Sequence, residues 1–273
     1  MPGDGYRAPG YRPGMALRSG ITRGFDLLYP SNRFVLVVTP AAGIGAGVIT
    51  LAVGEGWAAG FRNGLAAGGA TFLAWALGRE LHPDRAGVAA LAALVAPLGI
   101  LGVGPDLLAA ALLLLGARVV AGTTGRVLRW FDVTLFIIVA GPVAFRASGP
   151  GALTMTAVAL GVVLAHQQRR RLETAVTVIA LAGLAVYSWT RFDFAFDLDR
   201  WFIVPALLGL VALAGPGRVE VGTDRQGGTI SPHRVGAARA YTWIAAAAAA
   251  LALEPAALAP VWAALAATGL RPR

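Results

Sequence analysis

The 273-residue chain has no cysteine and no lysine. Without thiols it cannot form disulfides, thiolate metal centres, iron–sulfur clusters or a cysteine nucleophile. Without lysine it has no P-loop ammonium, no Schiff base and no lysine general base. Three histidines, far apart in sequence, give little material for a His-rich metal site. The aspartate-rich motifs of membrane prenyl and alcohol-phosphate transferases are absent, as are HExxH and GxSxG. Charge is scarce as well, at 14% of residues, against 57% hydrophobic and a mean hydropathy of +0.68.

That balance leaves too few polar residues to cover a soluble core. Long apolar runs separated by short charged loops are the pattern of membrane-spanning helices. Such runs lie at about 34–53, 60–78, 86–104, 106–121, 131–146, 149–166, 173–189, 201–214, 239–253 and 255–270. The expected fold is therefore an all-α polytopic transmembrane bundle of about ten spans. The last two runs, either side of Glu254 and Pro255, read as two crossings or as one re-entrant hairpin. Residues 1–33, rich in Gly, Pro, Arg and Tyr, are expected to form a disordered basic cytoplasmic tail before a transmembrane domain over 34–270.

The net charge of +9 is carried by arginine alone, as expected of an Ala/Gly-rich chain from a high-GC bacterial genome. With ten spans and the N-terminus inside, only Arg62, Arg146, Arg191 and Arg200 fall in outer loops, and the other arginines lie inside. The positive-inside rule thus favours N-in/C-in in a bacterial cytoplasmic membrane. Glu254 is the one acid expected within the apolar depth, which argues against proton-driven transport.

Five segments could carry chemistry. RVVAGT at Arg118–Thr123 returns as RVEVGT at Arg218–Thr223, four runs later. A parallel duplication of a four-helix unit would leave such an echo, with a site at the repeat interface. Chance similarity in so biased a sequence, with Arg118 snorkelling to the interface, explains it too. In GRELHPDR, Gly78–Arg85, Glu80 and Asp84 are expected on a tight cytoplasmic turn, where their carboxylates could hold Mg²⁺ beside Arg79 and Arg85, or simply pair with those arginines. There Pro83 is expected in the first turn of the following helix, with Asp84 facing its positive dipole end.

HQQRRRLE at His166–Glu173 suits an anionic lipid surface. The loop Gly215–Arg239 offers glycine amides and Arg225 to an anion, although it lacks a P-loop lysine. Trp189–Phe202 alternates aromatic rings with Asp193, Asp197 and Asp199, as an interfacial segment does. Nucleic acid is not an expected partner, because no extended basic face carries interleaved aromatics.

Three functions remain open. The first is a transporter, carrier or binder of a small anionic solute or anionic lipid, using Arg79, Arg118, Arg126, Arg218 and Arg225. The second is a Mg²⁺-dependent enzyme acting on a phosphorylated lipid, with Glu80 and Asp84 as ligands. The third is a non-catalytic subunit that packs through small-residue faces against copies of itself or a membrane-protein partner.

Overall fold

The computed structural model describes residues 19, 21, 27, 29–101, 104–124, 126–167, 171–192, 207, 210, 213, 230–251 and 255–269. Among these, all regular structure is helical. The α-helices are α1 (Pro30–Ala52), α2 (Trp57–Leu81), α3 (Ala86–Val95), α4 (Leu107–Ala121), α5 (Trp130–Val143), α6 (Gly149–His166), α7 (Arg171–Trp189), α8 (Pro232–Ala250) and α9 (Ala259–Gly269). Short 3-10 turns at Ala96–Leu101 and Pro255–Leu258 extend α3 and precede α9. Most expected runs therefore became helices within a few residues of their predicted edges. The run at 201–214 lies almost wholly outside the described residues.

Three helices, α1, α6 and α7, are long and apolar enough to cross a membrane; α3, α4, α5 and α9 are apolar but shorter. At 1.5 Å per residue, the 15 residues of α4 reach only about 22 Å, against about 30 Å of hydrocarbon. The 11 residues of α9 reach about 16 Å.

The bundle is built around α2, which packs against α1, α3, α4, α8 and α9. Small residues permit this. A Cβ on Gly64 would lie 2.8 Å from the carbonyl oxygen of Gly43, and one on Gly47 would lie 3.1 Å from that of Gly60. The α1 and α2 backbones thus touch along a ridge of glycines spaced four apart, where dispersion and close approach hold them together. Gly45, on the same stretch of α1, faces open space. Helix α1 has just three buried residues, Ser31, Val35 and Thr50. Its Leu36, Val37, Ile44, Val48 and Ile49 are exposed.

Two polar clusters mark opposite ends of the bundle. At one end, Asp106 caps α4 by accepting from the Ala109 amide at 3.1 Å. It also accepts from Ser148 Oγ at 2.6 Å, and Arg146 approaches it at 3.6 Å. The Asp106 amide donates to the Ala257 carbonyl at 2.7 Å, which ties in the turn before α9. The other end gathers the last turns of α2 and α4 and the first turns of α5 and α8. Within the stretch expected to be a disordered tail, Ser19 and Ile21 are buried against this second end.

Candidate functional site

The second cluster is organised by the last turn of α2. Glu80 belongs to that turn and is 0% exposed. Sequence alone placed it on a loop; the helix instead runs through Leu81 and turns Glu80 into the bundle. Its Oε1 accepts from Arg118 Nε at 3.0 Å, and its Oε2 accepts from the Thr123 hydroxyl. Arg118 Nη1 also donates to the Ile21 carbonyl at 3.3 Å. A buried carboxylate needs such partners, because desolvating an unpaired charge costs several kcal/mol.

Two residues further on, His82 caps α2 and is 6% exposed. Among the described residues its Nδ1 has no hydrogen-bond partner. Burial holds the imidazole below its ordinary pKa, with the charges of Arg239 and Arg85 adding to the effect and Asp84 opposing it. Pro83 and Asp84 lie in the turn before α3 and not in its first turn, since Arg85 is the N-cap.

Helix α8 supplies two cations to the ends of its neighbours. Arg234 donates from Nε to the Val120 carbonyl at 3.0 Å and from Nη2 to the Val119 carbonyl at 2.8 Å. It thereby satisfies carbonyls that the end of α4 leaves without helical partners, and sets a positive charge at the negative end of the helix dipole. Gly122 makes the room. It caps α4 in the left-handed region at φ 64°, and a Cβ there would lie 2.4 Å from the Arg234 guanidinium carbon. Two turns into α8, Arg239 is 4% exposed and donates from Nε to the Leu81 carbonyl at 2.8 Å.

Next to this cluster, Asp132 at the start of α5 is 0% exposed. It accepts from the Ser19 hydroxyl and from the Arg129 amide, the latter at 2.9 Å. Ser19 and Ile21 therefore bridge α4 and α5 at this end.

The sequence-predicted residues divide clearly. Arg118 and Glu80 meet, although sequence had assigned one to an anion and the other to a metal. Arg118 does not snorkel outward; it is paired, with 17% of its side chain exposed. Both Glu80 oxygens are engaged, one by Arg118 and one by Thr123. Among the described residues no three His, Asp or Glu side chains gather as a metal site. Arg79 lies half-buried in the last turn of α2, and Asp84 is half-buried in the following turn. Arg126 is exposed on the link between α4 and α5. Arg218 and Arg225 lie outside the described residues, as do the second copy of RVxxGT, Glu254 and the three aspartates at 193, 197 and 199.

Sequence reasoning missed the buried acids. It admitted only Glu254 to the interior, yet Glu80, Asp106, Asp132 and Glu173 are all buried. The partners of Asp106 and Asp132 that lie far off in sequence, Ser148 and Ser19, are brought in by packing. A groove of about 430 Å³ between α1 and α2, lined by Thr39, Pro40, Ile44, Phe61, Leu65 and glycines, carries no charged group.

No protein-family model, no curated protein and no solved structure matches this chain.

Proposed function

We propose that this is a multi-pass protein of a bacterial cytoplasmic membrane that carries or binds a small anionic solute or the headgroup of an anionic lipid. In this reading the chain crosses ten times, N-in and C-in, with the α2/α4/α8 cluster at the cytoplasmic end. Three long apolar helices and an apolar exposed perimeter support a membrane setting. The arginine bias of alternate loops supports the orientation.

The observation that carries the functional reading is the buried Glu80–Arg118 pair. A carboxylate and a guanidinium are held between helices at the mouth of the bundle, where an entering anion can compete with Glu80 for Arg118. Such an exchangeable pair gives an anion a place to dock without leaving a bare cation in its absence.

The test is uptake into proteoliposomes holding the full chain, using radiolabelled inorganic phosphate and sulfate, together with transbilayer movement of a fluorescent anionic phospholipid. Protein-dependent, saturable movement of one of these supports the reading. Rates equal to protein-free liposomes for all three would overturn it.

A further inference from the structure

Helices α4 and α5 join the two polar ends of the bundle by a short path. α4 leads from Asp106 at one end to Arg118 at the other within 15 residues. α5 returns from Asp132 to the turn that carries Arg146, which approaches Asp106 at 3.6 Å. The 14 residues of α5 rise about 21 Å. No charged residue lies between Asp132 and Arg146.

One face of α5 points outward, with Trp130, Phe131, Ile137, Ile138 and Phe145 exposed along it. Rings stand at both ends and isoleucines between them. At the C-terminal end the rings form a built patch. Phe145 meets Tyr187 edge-on at 5.5 Å, and the Arg191 guanidinium lies 5.6 Å from the centre of each ring. Arg191 Nη1 also donates to the Tyr187 hydroxyl at 2.6 Å. Beyond the rings, Arg126 is exposed at one end and Arg146 at the other. Apolar centre, aromatic rim and arginine is the order in which a bilayer passes from hydrocarbon to phosphate.

The far side of the bundle is longer. α1 packs against α2 and α3, and α5 against α4, α6 and α7, with the α2–α4 contact between them. The 23 residues of α1 rise about 34 Å. No charge lies between its exposed flanking residues Arg33 and Glu55. α1 therefore covers the roughly 30 Å of ordinary hydrocarbon, whereas α5 falls about 9 Å short.

We infer that the exposed face of α5 is a lipid-facing surface fitted to a locally thinned bilayer, with about 20 Å of hydrocarbon between its aromatic rims. Arg126 and Arg146 meet lipid phosphates of opposite leaflets. The inference rests on the membrane setting proposed above and is independent of the anion chemistry. A bilayer thins against a short apolar face at modest cost, while charges held in hydrocarbon are expensive. The hydrocarbon layer thus slopes across the protein, full at α1 and thin at α5.

The test uses the full chain, whose lack of cysteine lets one nitroxide label be placed at a time. F131C, I138C and F145C, all at exposed positions, are labelled singly and reconstituted in dioleoylphosphatidylcholine vesicles. Depth is read from relative collision rates with oxygen and with a water-soluble nickel chelate. The inference predicts residue 138 deep in hydrocarbon and residues 131 and 145 both at the headgroup boundary. In a bilayer of undisturbed thickness centred on residue 138, both end labels would lie about 5 Å inside the hydrocarbon. That result would overturn the thinning and leave the membrane setting intact. Free access of the nickel chelate to residue 138 would sink the membrane setting, and this surface with it. Dipolar broadening at residue 138 with loss of oxygen contact would seat a second copy on the face and overturn the lipid assignment.

Discussion

Arg118 Nε lies 3.0 Å from Glu80 Oε1, joining the last turn of α4 to the last turn of α2 across 38 residues of sequence. Removing one member of such a pair leaves a buried charge unmatched. E80Q alone should therefore destabilise the protein by about 3–5 kcal/mol. Removing both charges in E80Q/R118Q should recover most of that loss. Denaturation of the four proteins of this double-mutant cycle, in one detergent, measures the coupling. Additive single effects would mean that the pair does not hold the two helices together.

Gly122 and Arg234 form a second linked pair. G122A puts a side chain in a left-handed position and into the space of the Arg234 guanidinium. The expected cost is about 1–3 kcal/mol from backbone strain and crowding. R234A should cost about 1–2 kcal/mol through loss of the charged cap on α4. Because the two act on the same contact, the double variant should cost less than the sum of the singles. Thermal unfolding of all three variants checks this.

The α1–α2 contact depends on backbone proximity. G64A would bring a methyl group to 2.8 Å from the Gly43 carbonyl oxygen. Both partners are backbone, so neither can rotate away, and the cost should be about 1–3 kcal/mol. G45A faces open space and should be neutral within about 0.5 kcal/mol. Equal effects at the two positions would refute the packing.

His82 should give stability a pH dependence. Its folded-state pKa lies below the ordinary 6.5, first because it is buried and then because of Arg239 and Arg85. The unfolded chain thus binds a proton that the folded chain refuses. Stability is full above about pH 6.5 and declines as pH falls toward the lower folded pKa. Unfolding free energy measured below pH 6.5 should fall more steeply in wild type than in H82Q. Identical slopes would remove the effect.

Much of the architecture was legible because hydropathy runs and turn residues are local signals. Pro30, Gly54 and Gly56, Asp106, Gly122 and Pro232 punctuate the helices close to where the runs predicted. The site was less legible. Nothing local shows that Arg239 reaches the end of α2 or that Ser19 reaches Asp132, because those contacts arise from packing between distant segments. Glu80 was found as a residue but given the wrong setting, since a helix extended by one turn changes a loop carboxylate into a buried one. In α1, Gly43 and Gly47 meet the α2 backbone while Gly45 faces open space, a distinction that spacing alone does not make.

The most direct test asks whether the Glu80–Arg118 pair works on an anion or only braces the helices. E80Q/R118Q keeps hydrogen-bonding groups at both positions while removing both charges, so it should fold. Uptake of whichever anion the wild type moves would be measured in proteoliposomes, with the Tm of each protein recorded alongside. The account predicts a near-wild-type Tm with uptake reduced at least tenfold. A folded double variant that moves the anion at the wild-type rate would contradict it and leave the pair a structural brace.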